Sequence, residues 1–210
     1  MTAREEILSR IRGALGDSPS APEVPRTYRQ QGARAPGDPE LVRQLIGRLE
    51  DYRATVVRVA EGDDDAIGQA IADALTVRDI GRVVSPPGVS PEWTSRLADV
   101  VVDEASISAR LLDGIPAVVT GSVVAVAETG SIILDGAGVC GRRAITLVPD
   151  THVCVVRAMH VVQTVPDGLR RVDPQRALTI VSGPSATSDI ELDRVEGVHG
   201  PRTLVVVIAG

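Results

Sequence analysis

Residues 55–85, TVVRVAEGDDDAIGQAIADALTVRDIGRVVS, decide the fold. Thr55 to Ala60 is a β-branched run of strand length, and Asp64 to Leu75 reads as a helix. Arg82 to Ser85 is a second strand. Downstream, the order continues as a helix over Pro91–Leu97 and a short strand over Val100–Val102. Upstream, Asp38-Pro39 is a cap followed by proline at the first helical position, with Leu41, Val42, Leu45, Ile46 and Leu49 forming the apolar face. Strands alternating with helices predict a mostly parallel sheet covered on both faces.

From Ile115 to Val162 the pattern changes. Apolar, largely β-branched runs at Val118–Val119, Val123–Val126, Ile132–Leu134, Ile145–Val148 and Val153–Val156 are separated by short turns. They read as a meander of strands, some antiparallel, and so as a mixed sheet. Val165 to Val172 is expected to be helical, Ala177 to Val181 a strand and Leu204 to Ile208 a closing strand. The class is α/β, with a mixed, mostly parallel open sheet. No internal repeat is visible.

Thr2 caps a first helix with Ile7, Leu8, Ile11 and Leu15 on one face, and Gly16 ends it. Gly16 to Gly37 is rich in Pro, Ser, Ala and Gly and poor in large apolar residues, which predicts a flexible arm. The division is therefore 1–37, helix and arm, and 38–210, the α/β domain. A polar arm tipped by an amphipathic helix can hold a partner or a second copy of the chain, or fold back on its own domain.

Composition narrows the chemistry. The formal net charge is −6, which disfavours nucleic acid and anionic membranes as partners. No apolar run approaches the roughly 18–20 residues of a membrane span, and no secretory leader is visible, so a cytoplasmic protein is expected. All 22 basic residues are Arg. Without Lys there is no Schiff-base chemistry and no P-loop lysine. Cys140 and Cys154 are the only cysteines, too few for a four-cysteine iron–sulfur cluster or structural zinc. They read as small buried residues. His152, His160 and His199 are too far apart for a local metal motif. No metal and no cofactor is expected on the chain itself.

Site-like chemistry gathers in three segments. The strand over Ala177–Val181 stops at Gly183-Pro184, and Ser188 with Glu191 forms a capping box that opens a helix. Free amides at such a turn suit a carboxylate, phosphate or carbonyl oxygen. Glu128, in Ala127-Glu128-Thr129-Gly130-Ser131, is a carboxylate inside an apolar hairpin. It can pair with Arg142 or Arg143 as a lock, contact a ligand, or act as a catalytic carboxylate. Asp189 is free to face the rim and orient His199, which sits in a rigid turn with Gly197, Gly200 and Pro201. The candidate catalytic groups are Glu128, Asp189 and His199. The candidate ligand contacts are Thr129, Gly130, Gly183, Pro184, Ser185, Thr187 and Gly200. Glu128, Thr129, Ser185, Thr187, Asp189 and His199 are expected to converge on one pocket that prefers a small anion.

In this order and at similar spacing, Ala127-Glu128-Thr129-Gly130-Ser131, Gly183-Pro184-Ser185-x-Thr187-x-Asp189-Ile190-Glu191 and Gly197-x-His199-Gly200-Pro201 resemble the LUD-domain family. The first helix looks like that of its lactate-utilisation C-type members. The resemblance implies a three-layer α/β/α fold like that of sugar-phosphate isomerases and CoA transferases. It also implies organic-acid metabolism, in a system that oxidises L-lactate to pyruvate with iron–sulfur protein subunits as partners. In open sheets ligands gather at the carboxyl ends of strands, which would put the Glu128 and Gly183 segments on one rim. The alternative implied is a stand-alone CoA-transferase-like or sugar-phosphate-type enzyme. CoA transferases carry a glutamate followed by glycine in a comparable turn, but here Thr129 intervenes. The missing lysine also counts against the isomerase-like chemistry.

Overall fold

The computed structural model describes residues 2–16, 23–187, 195–196 and 200–210. The strands are β1 (Thr55–Val59), β2 (Arg82–Ser85), β3 (Asp99–Val102), β4 (Ala117–Thr120), β5 (Val124–Val126) and β6 (Ser131–Leu134). They continue with β7 (Thr151–Arg157), β8 (Val161–Val162), β9 (Thr179–Val181), β10 (Ala186–Thr187), β11 (Val195–Glu196) and β12 (Thr203–Ala209). The helices are α1 (Ala3–Leu15), α2 (Pro39–Asp51), α3 (Asp64–Thr76) and α4 (Pro91–Thr94). After these come α5 (Ala109–Asp113), α6 (Arg143–Leu147) and α7 (Val165–Leu169).

Six strands in the order β1-β12-β7-β4-β2-β3 form the main sheet, and every neighbouring pair is parallel. Its central strands are buried on both faces, whereas β1 and β3 at the edges are partly exposed, which is why β4, β7 and β12 read as unbroken apolar runs. The period of two separates the layers. Val153, Val155, Val205 and Val207 pack under α3 through Ile67, Ile71 and Leu75. Their neighbours Cys154, Val156, Leu204, Val206 and Ile208 pack on the opposite face, under Leu41, Leu45 and Leu49 of α2. That second layer is completed by a small sheet in the order β8-β5-β6-β9, whose Ala125, Ile132 and Leu134 join the same cluster. The expected mixture of directions therefore falls between two sheets: β5 and β6 pair antiparallel, as do β6 and β9.

One strand assignment is corrected. Ile145–Val148 is not a strand; it falls in α6, Arg143–Leu147, with Val148 as its cap. A four-residue apolar run cannot distinguish strand from buried helix, and Pro149 stops the helix at once. Ile145 is buried against Val84, Leu112 and Val118. Helix α5, capped by Ser108, was not expected, and the helices at Pro91 and Val165 are shorter than their patterns.

Helix α1 begins with the Thr2 cap and buries none of its residues. The arm behind it is tied to the domain near its end. The Gly32 amide donates to Asp167 at 2.9 Å, and the Ala33 and Arg34 amides donate to Gln163 Oε1 at 2.8 and 3.1 Å. Gly37 N donates to the Val161 carbonyl at 2.9 Å. Replacing Gln163 with alanine removes the acceptor of two arm amides without touching the core. The melting temperature should stay within about 2 °C, while limited proteolysis between Ser18 and Gly37 quickens about tenfold. Unchanged cleavage would show that Gln163 does not hold the arm.

Candidate functional site

The hairpin that carries Glu128 joins β5 to β6 and needs Gly130 for two reasons. Its φ is +64°, and a Cβ there would lie 2.7 Å from the Arg48 Cβ at the end of α2. Gly183, after β9, is similar, with φ +94° and a Cβ that would sit 2.6 Å from the Tyr52 Cβ. Two turns from distant sequence thus close on one helix end. A relay of hydroxyls joins them, Thr129 Oγ1 to Ser131 Oγ at 2.8 Å and Ser131 Oγ to Ser182 Oγ at 2.8 Å.

Both turns lie at one end of the small sheet, because β6 is antiparallel to both β5 and β9. They are not on the carboxyl rim of the parallel sheet. The two segments do share one edge, following β5 and β9, but that edge belongs to the second sheet and not to the main parallel one.

Glu128 does not pair with Arg142 or Arg143. Its carboxylate accepts from Arg29 of the arm, with 2.9 Å between Arg29 Nη1 and Oε1, and from Gln163 Nε2 at 3.1 Å. Nothing in the sequence pointed to Arg29, which stands 99 residues away in an arm of low complexity. Arg142 is committed elsewhere, donating through Nε and Nη2 to Asp103 at 2.8 Å each and through Nη2 to the Ile107 carbonyl at 2.6 Å.

A cavity of about 260 Å³ opens beside the second motif. Gly183, Pro184, Ser185 and Gly200 line it together with Ser182, Pro201, Leu147 and His152. The Ser185 amide donates to the Pro201 carbonyl at 2.8 Å, so the turn itself uses that N–H. The described lining is rich in hydroxyls and carries no charged side chain. His152 and Leu204 are register partners near the starts of β7 and β12, which sets the cavity at the amino ends of these strands. His152 is buried and lies 2.8 Å, through Nε2, from Thr120 Oγ1. Burial pushes its pKa down to about 4, so it is a neutral imidazole at pH 7. From the sequence, His152 is weighed only as a metal ligand; its place directly before the apolar run Val153–Val156 was the available signal.

Of the candidate residues, the structure brings Gly183, Pro184, Ser185 and Gly200 to the cavity wall, with Thr129 reaching Ser182 through the hydroxyl relay. Gly130 packs beneath, and Glu128 is turned to the arm. The backbone of Thr187 pairs with Val195 in the β10–β11 ribbon. Asp189, His199 and the Ser188–Glu191 capping box lie outside the described residues. Among the described residues, no three His, Cys, Asp or Glu side chains are grouped to hold a metal ion. Both cysteines are buried, and burial pushes each thiol up to about 12. No described helix is long and apolar enough to cross a membrane.

Comparison with known proteins agrees with this architecture. The family model described as "LUD domain" matches residues 90–209. Lactate utilization protein C of Deinococcus radiodurans is 41% identical over 213 residues, spanning 99% of this chain and 96% of the relative. Lactate utilization protein C of Bacillus subtilis is 32% identical over 91 residues, 40% of this chain and 38% of that one. A crystal structure of a DUF162 family protein from Deinococcus radiodurans superposes with a TM-score of 0.66 at 37% identity, covering 81% of this chain and 97% of that one.

Proposed function

Because this chain belongs to the LUD-domain family, we propose that it is a metabolite-binding subunit of a lactate-utilisation system that oxidises L-lactate to pyruvate. The observation that carries the reading is the end-to-end similarity to a protein named for lactate utilisation. Oxidation to pyruvate removes two electrons and two protons from lactate, and the electrons need a carrier. The only two cysteines are buried thiols held far from the thiolate state, which supports placing iron–sulfur centres on partner subunits. The contribution of this chain is to bind a small organic anion. Ser185, Thr187 and the glycine turns at Gly130, Gly183 and Gly200 form the cradle with Thr129 and Pro184, and Asp189 and His199 are the groups that handle protons. Glu128 has a positioning part, since Arg29 and Gln163 already engage its carboxylate. The same engagement argues against a covalent transferase.

Purified alone, the chain should be colourless and should not turn over L-lactate, gaining activity only with its iron–sulfur partners. Intrinsic cluster or flavin absorbance accompanied by turnover would overturn this division of labour.

A further inference from the structure

A second cavity, also about 260 Å³, lies at the carboxyl ends of the parallel strands, away from the motif residues. The chain runs outward from β2 to the edge strand β3, returns to β4 on the other side, and continues to β7 and β12. The winding direction therefore reverses between β2 and β4. In open α/β sheets the loops leaving two such strands diverge and leave a crevice. Here β2 leads to Gly88, β4 to Gly121, and β7 ends at Arg157 with His160 just beyond; all four line the cavity.

The crevice is built rather than incidental. A Cβ at Gly88 would lie 2.5 Å from the Gly138 backbone, and one at Gly121 would lie 2.9 Å from Val139 Cγ2. Both glycines let the segment that precedes α6 close over the strand ends. Gly121 N donates to the Val139 carbonyl at 2.8 Å, which fixes that segment. Val139 and Trp93 supply an apolar wall. Arg157 lies 5.7 Å from the Trp93 ring centroid and, among the described residues, makes a single ion pair, 3.3 Å from Asp64. Asp64 is shared with the Trp93 indole N–H at 3.0 Å, so much of the guanidinium fork is unspent. The Nδ1 atom of His160 is buried without a hydrogen-bond partner among the described residues. Such an atom is costly unless a ligand or water satisfies it. The charges that reach His160 are Arg157 and Arg171; with burial as the larger cause, they hold its pKa below the usual value.

We propose that this crevice is a further binding site, separate from the cradle at the motif turns, for a short monocarboxylate, the carboxylate on Arg157, a 2-hydroxy or 2-oxo oxygen at His160 Nδ1 and the alkyl end against Trp93 and Val139. The fit to a carboxylate comes from the cation, the orphaned imidazole nitrogen and the apolar wall. The choice of a 2-hydroxy or 2-oxo acid rests in addition on the lactate-utilisation reading. No lysine or glycine-rich phosphate cradle is present, so a phosphate ester is the poorer match.

Trp93 is the only tryptophan in the chain, which makes its emission a reporter of this crevice. Titrating the full chain with L-lactate, pyruvate, propionate and propionamide should give saturable changes at millimolar L-lactate and pyruvate. Propionate should bind several-fold more weakly and propionamide should give no response. Arg157→Gln should weaken L-lactate at least tenfold, and His160→Phe should bring L-lactate down to the level of propionate; circular dichroism checks that each variant is folded. Equal binding of propionate and L-lactate to the unmodified chain would overturn the contact at His160 and with it the choice of a 2-hydroxy or 2-oxo acid. No carboxylate response, a response to propionamide, or unchanged affinity in folded Arg157→Gln would overturn the site.

Discussion

Replacing Arg142 with alanine should destabilise the protein by about 3 kcal/mol, because it leaves a buried carboxylate without its counter-charge. The Asp103 side chain is 5% exposed, and Arg142 meets it with two donors in bidentate geometry. The same guanidinium holds the Ile107 carbonyl, so it pins the chain between β3 and α5 to the start of α6. For a chain of this size the loss corresponds to a fall of roughly 6–12 °C in melting temperature. Arg142→Lys should recover only part of it, since an ammonium cannot reproduce the fork. Removing both charges, with Asp103→Leu beside Arg142→Met, should cost less than Arg142→Ala alone. Thermal melts of the variants measure each value. A change below about 1 kcal/mol in Arg142→Ala would show that water already screens Asp103.

Asp189→Asn and His199→Ala should each abolish lactate-dependent growth in a complementation assay while leaving the melting temperature within about 2 °C. Both residues lie outside the described part of the structure, but their flanks are described. Ser185 and Gly200, which precede and follow the segment that holds them, line one cavity, and the Ser185 amide bonds the Pro201 carbonyl. A carboxylate and an imidazole are the side chains suited to accept and return protons near neutral pH. Folded variants that both support growth would sink the assignment of these two groups.

The layers of this protein were legible in its residues. The alternation over residues 55–85 and the capped helix at Asp38-Pro39 announce a covered parallel sheet, and both appear as read. Such features are local, since strand period, helix period and caps involve residues a few places apart. The motifs around Glu128, Gly183 and Gly200 were legible too, as turns with more hydroxyls and glycines than a scaffold requires. What the folded molecule alone decided is who meets whom. The Ile145 run became a helix because it is short enough to take either form and its surroundings in the core, Val84, Leu112 and Val118, come from distant elements. Glu128 found Arg29 across 99 residues, and the two motif turns landed on the end of α2 instead of on the parallel-sheet rim. The rim itself gathers Gly88, Gly121, Arg157 and His160, none of which belongs to a motif. Their meeting depends on strand order and on where the winding reverses, and those are settled by long-range packing of the sheet against its two layers, which no local pattern encodes.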